Sequence, residues 1–161
     1  MSGQAPSSKQ ATSIADGYKL LNITRNPDGS ITRPTITAVP PSPTPSQNSI
    51  SLSKDIPLNP TFNTTLRLFL PYPLPSNNKK LPLILYFHGG GFIFYHPSSF
   101  IFHNSSSTMA SQLSVIVASV DYRLSPEYPL PAAYDDAVES IHWIKKQAML
   151  SSSEVCVPVI L

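Results

Sequence analysis

A histidine followed by three consecutive glycines is the stretch of this sequence whose residue types most directly suggest catalysis. These residues are His88, Gly89, Gly90 and Gly91, and the apolar run 83–87 leads straight into them. Glycine has no Cβ, so the backbone can turn sharply there and bring its N–H groups close to a ligand. Two such donors can hold the oxyanion of a tetrahedral acyl-transfer intermediate. The glycines alone are equally compatible with a plain turn, but their position after a strand favours an oxyanion hole.

Other candidate chemistries lack the residues that they require. A phosphate-binding loop would continue with Gly-Lys-Ser/Thr, whereas Phe92 follows the glycines here. A serine nucleophile on a strand-to-helix elbow requires Gly-x-Ser-x-Gly, but no glycine follows Gly91. Ser140, His142 and Asp135 are close in sequence, yet residues two apart on a helix do not face each other. No catalytic triad is therefore predicted within the 161 residues.

The remaining histidines and the cysteine do not suggest a metal site. His96 and His103 are expected on a loop or on a helix surface, with no carboxylate at a useful spacing. The 4 histidines and the single cysteine, Cys156, show no spacing that is typical of zinc ligands. We therefore expect neither a metal nor a cofactor.

Composition and charge are those of an ordinary globular domain. Hydrophobic residues make up 41% of the chain and charged residues 12%, which is too apolar for wholesale disorder. The 11 basic and 9 acidic residues are scattered, so neither nucleic acid nor a membrane is expected as a partner. The first residues contain no apolar core of a signal peptide, and we expect a cytoplasmic protein, or one that is also nuclear. The sequence predicts no oligomeric state.

The second half of the chain predicts a β–α–β unit. The apolar runs 81–87 and 114–120 are continuous, as in strands that are buried on both faces and that usually run parallel. Between them a helix is expected from Ser98 or Ser99 to about Gln112. This order gives a right-handed crossover.

A second helix is predicted over 131–149. Pro131 suits the first helical turn, and the neighbouring Asp135 and Asp136 complement the positive end of the helix dipole. Apolar residues recur at helical spacing and form one face of this helix: Tyr134, Val138, Ile141 and Ile144.

The first half of the chain is expected to be less regular. Residues 1–17 are predicted to be disordered, and the sequence Asn-Pro-Asp-Gly at 26–29 predicts the turn of a hairpin. The proline-rich stretch 34–60 predicts an extended connection rather than a sheet interior. Alternating leucines within 64–73 predict a strand near a sheet edge, and 75–80 an exposed turn.

Two motifs together make the sequence resemble a known family. "HGGGF" at 88–92 is followed by "DYRLSPEYPLPAAYDD" at 121–136, and this combination resembles the hormone-sensitive-lipase group of α/β-hydrolases. Within that group, "LPLILYFHGGGF" looks like the plant carboxylesterase branch. The resemblance extends over about 18–148, followed by a divergent tail. It implies an incomplete α/β-hydrolase fold of class α/β, with a mostly parallel sheet, an N-terminal β-hairpin and an extended proline-rich segment.

The resemblance also implies roles for individual residues. Gly89 and Gly90 would supply oxyanion-binding N–H groups, while Gly91 would shape the turn. His88 would anchor this loop and is not the catalytic base in the family. Six residues would be structural, tying the strand end to the following helix: Asp121, Tyr122, Arg123, Glu127, Asp135 and Asp136.

The substrate side of the site is less defined by the resemblance. Phe92 and Phe94 would line the acyl pocket, although packing in the core is the more common role of such residues. The proline-rich segment would form part of a cap over that pocket. The expected substrate is a small-molecule ester, hydrolysed in the manner of a serine carboxylesterase.

The family's serine, acid and histidine follow the oxyanion loop and are absent from this sequence. We therefore expect the 161-residue chain to be inactive, and to be a truncated product or a mis-spliced gene model with a divergent tail at 149–161. A non-catalytic binding protein of the gibberellin-receptor type is an alternative, although such receptors as a rule break the third glycine. A dehydratase or cyclase of the same branch, or a non-functional product, are further alternatives.

Overall fold

The structure is a computed structural model that describes residues 14–75 and 80–150. Several of the predicted features lie outside these ranges. They are residues 1–13 of the segment expected to be disordered, residues 76–79 of the expected turn, and the tail from residue 151 onward.

The chain divides into two compact units, residues 1–35 and residues 36–161. The described part of the first unit consists of helix α1 (Ile14–Leu20) and the antiparallel strands β1 (Thr24–Arg25) and β2 (Ile31–Thr32). Gly29 closes the turn with a φ of +87°, and its N–H donates to the carbonyl of Asn26 at 3.0 Å. The predicted hairpin is confirmed, and α1 begins inside the segment for which disorder was predicted.

The second unit is built on a four-stranded sheet. Its elements are β3 (Ser51–Asn59), β4 (Thr64–Pro71), β5 (Leu83–Phe87), α2 (Phe100–Leu113), β6 (Ile116–Asp121) and α3 (Ala132–Leu150). The strands lie in the order β3-β4-β6-β5. β5 and β6 run parallel, whereas β3 with β4 and β4 with β6 run antiparallel. The β–α–β unit and the α/β class are confirmed, and the described part of the sheet is mixed.

β4 is the second strand of the described sheet and lies beside the edge strand β3, in agreement with the predicted place near a sheet edge. Its Leu66 and Phe69 are fully buried. β3 forms from the second part of the proline-rich stretch and pairs along the whole of β4. Pro57 of β3 sits at a register irregularity of this pairing. An edge strand tolerates proline there because one side of the strand needs no N–H donors.

β5 is the other edge strand of the described sheet. Leu83 and Phe87, at its two ends, are 41% and 40% exposed. The prediction that both faces of this run are buried is therefore wrong for these two residues in the described part of the chain. The described sheet also has no strand on the outer side of β5. The prediction is correct for β6, whose Val117 and Val120 are fully buried between β4 and β5.

Alternate residues of the central strands pack on opposite faces of the sheet. On one face, a buried cluster joins the sheet to α2: Phe69, Ala110, Val115 and Val117. On the other face, a second cluster joins the sheet to the start of α3: Leu66, Val120, Tyr122, Leu124 and Ala133. The two predicted helices therefore cover the two faces, and α2 begins directly after Ser99, as expected.

α3 turns its small and polar residues, rather than its apolar stripe, towards the interior. Tyr134, Val138 and Ile141 are 53%, 52% and 40% exposed. The buried positions are instead Ala133, Asp136 and Ser140. Three of the four residues of the predicted apolar stripe are thus exposed, whereas the fourth, Ile144, is half-buried.

We expect the 161-residue chain, when expressed by itself, to self-associate or to bind hydrophobic dyes strongly. Among the described residues no strand pairs with the outer edge of β5, and Tyr134, Val138 and Ile141 of α3 add exposed apolar side chains. Size-exclusion chromatography with light scattering and dye fluorescence would measure both properties. A soluble monomer with a sharp cooperative transition in scanning calorimetry would contradict this expectation.

Candidate active site

The glycine run forms a tight turn at the carboxyl end of β5. Gly90 has a φ of +123° and Gly91 a φ of +64°, conformations that residues with a side chain rarely adopt. A Cβ added at Gly90 would lie 2.4 Å from the carbonyl oxygen of Phe94, whereas one at Gly91 would meet nothing within 4 Å. The turn therefore requires glycine most strictly at position 90.

The turn is closed through the carbonyl of Gly90, which leaves the amides of the glycines available. This carbonyl accepts hydrogen bonds from the N–H groups of Ile93 and Phe94, each at 3.1 Å. Within the described residues, the N–H groups of Gly89, Gly90 and Gly91 donate to no partner. Amides that are held in a fixed turn and have no acceptor within the protein can donate to an anion or an oxyanion, so this turn is suited to binding one.

His88 anchors the start of the turn from a buried position. Its side chain stacks on the ring of Tyr122 with centroids 4.3 Å apart, and the Tyr122 hydroxyl donates to the His88 carbonyl at 2.6 Å. The Nδ1 atom lies 2.8 Å from the carbonyl oxygen of Gly89. Because a carbonyl can only accept, Nδ1 carries the proton, and this bond fixes the orientation of the Gly89–Gly90 peptide.

The ring of His88 is neutral in this environment. Burial lowers the pKa of His88 below its ordinary value. With the proton on Nδ1, Nε2 is an acceptor, and it is buried without a partner among the described residues. Burial also raises the pKa of the neighbouring Tyr122 to about 12, so its hydroxyl keeps its proton and remains a donor.

His96 is paired with a carboxylate, contrary to the prediction from spacing. Its Nδ1 lies 2.7 Å from Oδ1 of Asp121, the last residue of β6. His103 lies in α2, where its Nδ1 is 3.2 Å from a guanidinium nitrogen of Arg67. Sequence spacing missed the first pair because its partners are 25 residues apart and meet only where the loop crosses the end of β6.

Arg123 and Asp136 tie the end of β6 to α3, as the resemblance implies. The guanidinium donates to Oδ1 of Asp136 at 2.7 and 2.9 Å, and the Arg123 N–H donates to Oδ2 at 2.8 Å. This hydrogen bonding to Asp136 raises the pKa of Arg123. The guanidinium also lies 3.9 Å from the ring centroid of Phe62. Of the other two residues expected to be structural, Asp135 is exposed on α3 and Glu127 is exposed in the preceding loop.

The two phenylalanines after the glycines are half-buried. Phe92 packs against the cluster beside α3 and makes an edge contact with Tyr134, at 5.6 Å between centroids. Phe94 makes an edge contact with the ring of Tyr95 at 6.2 Å. Packing with neighbouring side chains therefore accounts for Phe92, and no described contact distinguishes Phe94 as a substrate-binding residue.

No further catalytic constellation is visible in the described ranges 14–75 and 80–150. There, no three His, Cys, Asp or Glu side chains lie together in a way that could hold a metal ion. Ser140 is buried and donates its hydroxyl to the carbonyl of Ala137, while His142 is exposed, so the two do not form a catalytic pair. None of the helices in these ranges is long and apolar enough to cross a membrane.

Comparison with known proteins identifies the group to which this loop and sheet belong. A family model for the α/β-hydrolase fold matches residues 84–157. The chain is 52% identical over 135 residues to probable carboxylesterase 8 of Arabidopsis thaliana, a match that covers 83% of this chain and 38% of the relative. It is 44% identical over 148 residues to 3-O-acetylpapaveroxine carboxylesterase CXE1 of Papaver somniferum, with 88% and 44% covered.

A solved structure supports the same grouping. The esterase LipW from Mycobacterium marinum superposes with a TM-score of 0.53 and 29% identity, over 63% of this chain and 31% of that chain. The chain thus spans less than half the length of the carboxylesterases that it matches. The chain belongs to the α/β-hydrolase-fold family that includes the plant carboxylesterases.

Proposed function

We propose that this chain supplies the oxyanion-binding part of a carboxylic ester hydrolase. The observation that carries the proposal is the turn at Gly90, which only glycine can adopt and whose neighbouring amides have no acceptor among the described residues. In this role Gly89 and Gly90 donate to the oxyanion and Gly91 shapes the turn. His88 holds the peptide between the two donors through its bond to the Gly89 carbonyl.

The reaction that this arrangement serves is acyl transfer from a small-molecule ester. As the ester carbonyl becomes tetrahedral, negative charge develops on its oxygen, and fixed N–H donors stabilise that charge more than they stabilise the ground state. Donors fixed by a buried, neutral histidine need not reorganise during the reaction. The name of the poppy relative indicates an acetyl ester as its substrate, which supports a short acyl group here as well.

The serine nucleophile of this reaction is not among the 161 residues, because they contain no Gly-x-Ser-x-Gly. We therefore expect the 161-residue chain to hydrolyse p-nitrophenyl butyrate no faster than a blank. Oxyanion-binding N–H groups that act without a nucleophile give only a residual acceleration of ester hydrolysis. Labelling of a serine in this chain by a fluorophosphonate probe, in a stoichiometric burst, would contradict the expectation.

The test of the proposed function uses the complete protein that the transcript encodes. Sequencing that transcript shows whether Gly-x-Ser-x-Gly follows residue 161. We expect the complete protein to hydrolyse short p-nitrophenyl esters and to react with fluorophosphonate at that serine. Tight binding of a small acid without any turnover would instead support a receptor of the gibberellin-binding type.

A further inference from the structure

The segment that carries the glycines is held at both ends by consecutive residues at the end of β6. At its start, Tyr122 donates to the carbonyl of His88 at 2.6 Å. Farther along, Asp121 bonds the side chain of His96 at 2.7 Å. The first contact belongs to the anchor described above. In the second, His96 has no role that the family resemblance or the proposed reaction assigns.

The backbone of His96 is hydrogen-bonded to the residue that precedes α2. Its N–H donates to the hydroxyl of Ser99 at 3.0 Å, and the Ser99 N–H donates back to the His96 carbonyl at 2.9 Å. Ser99 is buried and immediately precedes α2. His96 therefore joins the start of α2 through its backbone and the end of β6 through its imidazole.

A displacement of His96 would be transmitted to Gly90 through the residues between them. The Gly90 carbonyl accepts from the N–H groups of Ile93 and Phe94, and Gly90 packs so closely on the Phe94 carbonyl that no Cβ fits between them. Only Tyr95 separates Phe94 from His96 in the chain. The Gly90 turn is therefore connected by hydrogen bonds and close packing to the residues that lead to His96.

We propose that His96 is a positioning residue for the glycine turn, and that it acts through the hydrogen bond between its imidazole and Asp121. The inference rests on the proposed function, because it assigns His96 to the support of the same oxyanion-binding amides. A carboxylate can only accept, so Nδ1 carries the proton, and the bond forms whether the imidazole is neutral or charged. The side chains are 53% and 29% exposed, so the pair adds little to global stability. Its effect is on the geometry of the turn.

Asp121 also acts electrostatically on His88. Burial is the main cause of the lowered pKa of His88, and the negative charge of Asp121 acts in the opposite direction. Substitution of Asp121 would therefore disturb two histidines at once. For this reason the primary test replaces His96 and leaves Asp121 in place.

The test compares His96→Ala with His96→Asn in the complete protein. The amide nitrogen of asparagine can take the place of Nδ1 and donate to Asp121, whereas alanine cannot. We expect His96→Ala to lower kcat about 3- to 30-fold with KM changed less than about twofold, because misplacement of a catalytic group affects the chemical step. His96→Asn should retain at least about half of the wild-type kcat. His142→Ala, an exposed histidine on α3, is the matched control and should leave kcat unchanged.

A readout that does not depend on activity separates this inference from the proposed function. Hydrogen–deuterium exchange of the peptide covering residues 88–96 should be faster in His96→Ala than in the wild type and in His96→Asn. In an Asp121→Ala background, His96→Ala should add little further change. Unchanged kcat and exchange in His96→Ala, or equal losses in the alanine and asparagine variants, would overturn the inference. Failure of the wild-type protein to hydrolyse any ester would overturn the proposed function, while the exchange data would still decide the role of His96.

Discussion

Replacement of Gly90 by alanine is expected to lower kcat of the complete hydrolase by about 10²–10³-fold, the cost typical of losing one oxyanion donor. At a φ of +123°, an added Cβ would meet the Phe94 carbonyl at 2.4 Å and the Tyr95 ring at 2.7 Å. The turn must open to relieve these contacts, and the amide of Gly90 then leaves its position. Steady-state kinetics with p-nitrophenyl butyrate measure the loss, and we expect KM to change much less than kcat.

Two other glycines make this experiment specific. Gly91 has a φ of +64°, but the space around an added methyl group is open there. We therefore expect Gly91→Ala to lower kcat less than Gly90→Ala does. Gly29→Ala, in the hairpin of the first unit, has comparable backbone strain at a φ of +87° and should leave kcat unchanged. Circular dichroism of each variant checks that it folds. If Gly90→Ala were folded and fully active, the assignment of the glycine turn as an oxyanion hole would be wrong.

Replacement of Asp136 by alanine is expected to lower the free energy of unfolding by about 3–5 kcal/mol, the cost of removing one partner of a buried ion pair. Asp136 is fully buried and accepts hydrogen bonds from both the guanidinium and the backbone N–H of Arg123. Without it, the Arg123 side chain, only 12% exposed, keeps its charge and loses its partner. Urea unfolding of the complete protein measures the change.

The neighbouring Asp135 provides the control for this second experiment. It lies in the first turn of α3 and is exposed. Asp135→Ala should cost only about 0.3–1 kcal/mol, because it removes a favourable interaction with the helix dipole and no buried contact. Equal effects of the two substitutions would contradict a structural role for the pair formed by Arg123 and Asp136.

Local elements of the fold could be predicted from the sequence because their causes are local. Gly29 at the end of the turn 26–29 determines the hairpin through a backbone conformation that only a few residues adopt. Helix α2 begins after Ser99 and α3 after Pro131, at the residue types that favour helix starts. The parallel pairing of β5 and β6 follows from two apolar runs joined by a helix, since a crossover returns the chain in the same direction.

Features that depend on distant parts of the chain were predicted less well. The pairing of β4 depends on β3, whose prolines suggested a connection rather than a strand. Exposure of β5 depends on which strand lies beside it, and periodicity within 81–87 contains no information about that neighbour. The apolar stripe of α3 likewise contained no information about the buried salt bridge of Asp136, which lies on the inner side of the helix.

The candidate site shows the same division between sequence and tertiary structure. The sequence by itself determined the glycine turn, because three adjacent glycines after a strand permit backbone conformations that other residues rarely adopt. The motif that starts at Asp121 likewise indicated, by resemblance, which residues tie the strand end to α3. Only the tertiary structure decided that His96 meets Asp121 and that His88 directs its Nδ1 to the Gly89 carbonyl. Such contacts depend on where two chain segments cross in space, and the spacing of residues along one segment does not specify that crossing.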